Sequence, residues 1–211
     1  RRGGVIRLGP ARPDWTGTQH VPHDEAPIAV TTFETPDGSA ELVDHLERGR
    51  ITRVLTVTRG RLDTVLHIVP GHALGPARRM DRWSNGAAFG SLRVEGWEAD
   101  QPTMLEAGDR VVVTVTIETD RRVTRSGPEL AHPTLGEAVD ERARVARRWR
   151  EEVGSVDADV PHRAALLRSV RALRLLTIGT TSDAALLRAL TTSLPARIGN
   201  ERNIDERFAW L

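Results

Sequence analysis

The period of the hydrophobic residues changes once along the chain, and that change limits what the chain can fold into. From Ile28 to about Ile117 apolar residues recur at every second position, as on a pleated strand. After about Pro133 they recur every three or four, as on a helix. Strands followed by helices argue for a β domain joined to a helical segment. Val111, Val113, Val115 and Ile117 alternate with Thr114, Thr116 and Glu118, the pattern of a strand with one buried face. Residues 28–34 and 39–46 flank Pro36-Asp37-Gly38, where Pro presets φ and Gly tolerates φ > 0, so they read as a hairpin. Residues 51–58 and 62–69 flank Arg59-Gly60 and read as a second one. Further strands are expected at 87–94 and 103–105, with Ala107-Gly108-Asp109 turning the chain into the strand at Arg110. Short strands at this spacing predict an antiparallel β-sandwich.

In the helical part, Thr134-x-x-Glu137 has the form of a capping box, each side chain satisfying the other residue's free amide. Leu135, Ala138, Val139, Val145, Ala146, Trp149 and Val153 then form one stripe, which Gly154 ends. A second helix is expected after Asp159 as N-cap, with Pro161 in its first turn, running to about Thr177. Leu166, Val170, Leu173 and Leu176 share one face, opposite Arg168, Arg171 and Arg174. From Gly179 onward the signals conflict, since 183–190 has helical propensity and 191–195 reads as extended loop. The expected division is therefore a β-sandwich over 1–130, a linker helix over 131–158 and a helical part over 159–211. Its two apolar stripes need the sandwich or further sequence to pack on. The start at Arg1 and the end at Trp210-Leu211, directly after an apolar run, read as a fragment at both ends.

Composition removes several function classes. No apolar stretch approaches the roughly 18 residues of a membrane-spanning helix and neither end has a signal-peptide pattern, so a cytoplasmic chain with no membrane partner is expected. With no Cys, disulfides, thiolate zinc sites and cysteine nucleophiles are excluded. All 30 basic residues are Arg, yet 29 acidic residues balance them to a net charge of +1, which does not make a nucleic-acid binder. Arg142, Arg144, Arg147, Arg148 and Arg150 share a helix with Glu137, Asp140, Glu141, Glu151 and Glu152, the mixed signs of a solvated helix with i,i+4 pairs. His20-Val21-Pro22-His23-Asp24-Glu25 gathers metal-ligand types, but two prolines around it deny them a fixed spacing and favour a solvated loop. No metal or cofactor is expected, and oligomeric state is left open. Trp83 and Trp97 suit either a sugar-stacking platform or core cover, with core favoured by the apolar area an indole buries.

The densest chemistry lies at the end of the chain, where Thr191-Thr192-Ser193-Leu194-Pro195 leads into Gly199-Asn200-Glu201-Arg202-Asn203-Ile204-Asp205-Glu206-Arg207-Phe208-Ala209-Trp210-Leu211. Carboxylates, amides and aromatic rings in this density suit sugar hydroxyls and the apolar face of a pyranose, or else a buried Arg-Asp network under a helix start. Chemistry alone leaves both open.

This stretch resembles the entry to the catalytic domain of glycoside hydrolase family 15, the glucoamylase-like enzymes that include bacterial trehalases, where TTSLPE is followed by GG-x-RNWDYRYCWLRD. Arg202, Asn203, Asp205, Arg207, Trp210 and Leu211 fall on matching positions. Upstream, Thr31 to Gly38 is similar to the ETTFRTADG hairpin of the family's sandwich, and Arg168 to Leu176 to its RSALVLKLL barrel helix. The resemblance implies a super-β-sandwich, a helical linker and the first part of an (α/α)6 barrel. It also implies inverting cleavage of α-glucosidic bonds in an α-glucan or trehalose-type saccharide. Inversion uses one carboxylic acid and one carboxylate about 6.5–9.5 Å apart. Both family glutamates lie beyond residue 211, so no catalytic residue is expected in this chain, and the substrate-binding candidates are Trp210, Glu206, Asp205 and Arg207. Ile204 stands where the family has Trp, Glu206 where it has Tyr, Asn200 where it has Gly and Ala196 where it has Glu, which changes stacking and charge in the sugar pocket. A non-catalytic carbohydrate-binding or structural sandwich protein is the alternative.

Overall fold

The structure is a computed structural model that describes residues 5–21, 28–47, 50–69, 80–89, 92–117, 131–154, 159–178, 185–187 and 209–210. It is mainly antiparallel β followed by two helices, as the change of period implies. The chain divides into two compact units, residues 1–151 and 152–211.

The first unit is built around one strand. β5 (Arg50–Val69) pairs through its first half with β4 (Gly38–Glu47) and β10 (Arg110–Ile117), and through its second half with β1 (Val5–Pro10) and β9 (Thr103–Glu106). The larger sheet runs β2 (Thr16–His20), β3 (Ile28–Glu34), β4, β5, β10, β8 (Leu92–Glu95), β7 (Gly86–Phe89) and β6 (Asp81–Trp83). Residues 28–34 and Gly38–Glu47 form the expected hairpin, and the strands near 87–94 and 103–105 are present, the former as the β7–β8 pair. Gly108, at φ 96°, makes the expected turn into β10.

The second expected hairpin is instead this continuous strand. Arg59-Gly60 bends it without reversing it, because each half finds partners on a different sheet. The bend comprises a register shift against Ser39/Ala40 and Gly60 at φ 64°, where a Cβ would lie 2.1 Å from the Asp37 carbonyl. Across it, Gly38 faces Gly60, and a Cβ on Gly38 would approach the carbonyls of Arg59 and Arg61 to 2.5 Å. β1 and β2 precede the region read as strands; β2 is a polar edge strand with every residue exposed, so no apolar alternation marks it.

Between the sheets lies an apolar core of Leu8, Phe33, Leu42, Leu55, Val57, Leu62, Leu66, Ile68, Val94, Val113 and Val115. The opposite face of the larger sheet is also covered. Thr114, expected to face water, is 1% exposed, and Ile28, Val30, Val43, Thr52 and Val112 on the same face are buried. The cover is α1 (Leu135–Gly154), tied to the sheet by Arg50–Glu141 and Arg148–Glu47 ion pairs. Ala138, Val145, Ala146 and Trp149 are buried on it as its stripe implies, but Val139 is 47% exposed and Glu141, read as solvated, takes the inward position three residues after Ala138 and four before Val145. The capping box forms: the Thr134 amide donates to Glu137 Oε2 at 2.8 Å and the Glu137 amide to Thr134 Oγ1 at 3.3 Å.

In the second unit, α2 (Arg163–Leu176) begins later than Asp159 would place it, after His162 at φ 60°, whose carbonyl accepts from the Ala165 and Leu166 amides. Leu167 is buried, whereas Leu166 and Leu173 of the expected face are exposed. β11 (Thr177–Ile178), β12 (Ala185–Leu187) and β13 (Ala209–Trp210) form a small antiparallel sheet in that order. β12 lies where local propensity favours helix; pairing on both sides overrides it.

Gly60→Ala therefore removes about 2 kcal/mol or more of stability, from the left-handed φ and the Asp37 clash together, read as a lower urea midpoint. An unchanged midpoint would mean that the bend is not fixed by this residue.

Candidate functional site

Of the four sugar-binding candidates, the structure places the backbone of Trp210, in β13 opposite Leu186, which pairs on its other side with Thr177. Asp205, Glu206 and Arg207 lie outside the described residues, as does the Trp210 side chain. Trp97 is half-buried against the sandwich core, the packing role. His20 lies exposed on β2 and 22–27 fall outside the described residues. Among the described residues no three metal-ligand side chains converge.

The family-like hairpin is well formed. Thr35 donates its amide and hydroxyl to the Gly38 carbonyl at 2.9 and 2.8 Å, and its Oγ1 accepts the Gly38 amide at 3.0 Å. The tip leans on the β5 bend, where the Arg61 amide donates to the Asp37 carbonyl at 3.1 Å. Beside it opens a cleft of about 210 Å³ whose charged lining is Arg12, Asp14, Asp37, Arg61 and Asp63. Arg12 bridges its rim, 3.0 Å from Asp14 and 4.0 Å from Asp37.

Two further charged clusters sit on the sandwich. Asp100, in a left-handed conformation at φ 61°, accepts from Arg82 Nη2 at 2.6 Å and the Ile68 amide at 3.4 Å, and its Oδ1 lies 2.7 Å from His67 Nδ1. Burial alone would raise this carboxyl; the bonds from Arg82 and His67 outweigh it and hold it below its ordinary value. The clamp fastens the 96–100 turn to β5, where Ala99 bridges Leu66.

The second cluster lies under α1. Arg50 Nη2 donates to Glu141 Oε2 at 2.7 Å, and Nη1 to the Ala131 carbonyl at 3.0 Å. His45 Nε2 is 3.9 Å from the same Glu141 oxygen, with its side chain wholly buried. Burial lowers the His45 imidazole below its ordinary value against the pull of Glu141 and Glu47, and Arg142 and Arg50 add to the lowering. His132, 3.2 Å from Thr114 Oγ1, is lowered by burial, with Arg50 contributing and Glu95 opposing. Sequence reasoning missed this cluster, although the i−3, i+4 spacing of Glu141 from Ala138 and Val145 carries the signal.

The first unit is thus an α-covered antiparallel β-sandwich whose buried charges serve its packing. No family model matches the chain. It is similar to a trehalase of Mycolicibacterium smegmatis, 37% identical over 124 residues, and to a trehalase of Mycobacterium tuberculosis, 38% identical over 122 residues. Each match covers 57% of this chain and 16% of the trehalase.

Replacing Arg50 by Met leaves the Glu141 carboxylate buried without its cation and lowers stability by about 3–5 kcal/mol. Arg12→Ala at the exposed cleft rim costs less than about 1 kcal/mol. Urea unfolding of both variants checks the contrast; equal losses would deny the buried pair its role.

Proposed function

We propose that this chain belongs to a glycoside hydrolase that cleaves trehalose, with the sandwich serving as the support of a catalytic region that begins near residue 159. The observation that carries the reading is the 37–38% identity to two trehalases; the motif at 202–211 points the same way.

The finer reading follows from the family resemblance. Residues 1–130 are the sandwich domain, 131–158 the linker and 159–211 the start of an (α/α)6 barrel. Trp210 stacks on the non-reducing glucose while Asp205, Glu206 and Arg207 take its hydroxyls. A carboxylic acid downstream of residue 211 protonates the oxygen that joins the two glucoses, and a second carboxylate there activates water on the opposite face. Hydrolysis of an α,α-linkage by inversion yields one β-glucose, from the attacked ring, and one α-glucose, from the leaving ring. Retention would yield two α-glucoses. Proton NMR of the parent enzyme in the first minutes with trehalose should show the two anomers in equal amounts. Release of α-glucose alone refutes inversion, and glucose release from maltooligosaccharides but not from trehalose refutes the substrate.

The 211-residue chain by itself should release glucose from neither substrate, since none of its 29 acidic residues is assigned as acid or base. In the parent, Trp210→Ala should lower kcat/KM for trehalose about fivefold, the equivalent of about 1 kcal/mol of stacking, with Tm moved by only a few degrees. A large fall in Tm at unchanged kcat/KM would assign the indole to packing.

A further inference from the structure

Four polar atoms under α1 are buried and have no hydrogen-bond partner among the described residues: both ring nitrogens of His45, Arg50 Nε and Thr52 Oγ1. They gather where three elements meet. His45 pairs in register with Ile28 of β3 and Thr52 of β5, and faces Glu141 of α1. The other charges that reach it are Glu47 on its own strand, Arg142 on α1 and Arg50 on β5, while His132, just ahead of α1, lies against Thr114 and also feels Arg50. With His45 neutral, Glu141 and Arg50 form a balanced pair. A proton on His45 would add a second cation beside Arg50, with both cations drawing on the same Glu141 oxygen.

We propose that His45 is an acid-sensitive latch: protonation of its imidazole, buried beside the Glu141–Arg50 pair, raises the fraction of molecules in which α1 is lifted from the sandwich. The open form lets the imidazole reach water and take the proton at its ordinary affinity, whereas the closed form resists it. The sign is fixed by that difference. A histidine lowered in the closed state stabilises closure at pH values above about 6.5 and loses that contribution as pH falls, because the open state then binds more protons. One such proton can multiply the opening equilibrium by at most about tenfold between pH 7.5 and 5.5.

Hydrogen–deuterium exchange of the 211-residue chain, followed on peptides from 135–154 and corrected for the intrinsic pH dependence of amide exchange, reads this directly. Expected is a several-fold rise in α1 opening between pH 7.5 and 5.5, at most about tenfold, absent in His45→Gln and retained in His132→Gln and in Thr134→Ala. The last variant weakens the cap of α1 at every pH. A flat profile in the unaltered chain, the same rise in His45→Gln, or its loss in His132→Gln overturns the proposal. Should His45→Gln fail to fold, the 13C shift of the His45 ring in the unaltered chain decides. A ring that stays neutral below pH 6 while α1 is closed supports the latch, and one that titrates near 6.5 with no change in α1 exchange refutes it.

Discussion

The guanidinium of Arg50 organises the first unit. It stands at the first residue of β5, is buried, and finds its acceptors on chain 81 and 91 residues away, at the Ala131 carbonyl and Glu141 Oε2. A cation taken out of water needs a carboxylate close by, and α1 lies where it brings Glu141 over β5. The pair adds less to stability than its short distance suggests, because both ions lose their hydration, and an apolar pair of equal volume would pack about as well. What the pair can supply is register. Sliding α1 by one turn would set Glu137 or Val145 opposite Arg50; the first is the partner of Thr134 in the cap, and the second carries no charge.

The sandwich itself follows from β5. Twenty residues at about 3.3 Å each would extend some 66 Å, far beyond the usual length of a strand, and the bend at Gly60 converts that length into two layers. Each half recruits its own partners, so the two sheets share one strand. Gly38 and Gly60 face each other at the corner, where backbone carbonyls crowd the space of both missing side chains. The hairpin tip at 35–38 is fastened to the same corner, which places the family-like motif at a rigid point of the fold.

Periodicity reports polarity, and that explains what could be read from the sequence. The β3–β4 hairpin, the strand at 110–117 and the capping box were legible because their side chains alternate or their offsets are fixed by local geometry. Arg59-Gly60 misled because one glycine serves a turn or a bend equally well, and only the distant partners β1 and β9 decide between them. Thr114 and Glu141 misled because a polar residue in register implies water, whereas here each finds a protein partner where α1 meets the sheet: His132, just ahead of the helix, for Thr114, and Arg50 of β5 for Glu141. The sugar-binding candidates came from the resemblance alone, since Asp, Arg and Trp near a loop suit a buried network as well as a ligand. Of their geometry only the backbone of Trp210 is described.

The two faces of the larger sheet answer acid differently. Among the described residues the buried cluster between the sheets is apolar apart from Thr64, whereas under α1 the apolar residues Ile28, Val30, Val43 and Val112 are interrupted by His45, Arg50 and Glu141. Lifting α1 also uncovers Val145 and Trp149, and each buried apolar side chain resists by roughly 1.5–3 kcal/mol. One proton contributes at most about 1.4 kcal/mol per pH unit. The apolar term wins over the physiological range, so acid tunes how often α1 opens and does not melt it. A helix that is both an outer layer of the sandwich and the covalent lead into the second unit is then an element whose fluctuations depend on pH.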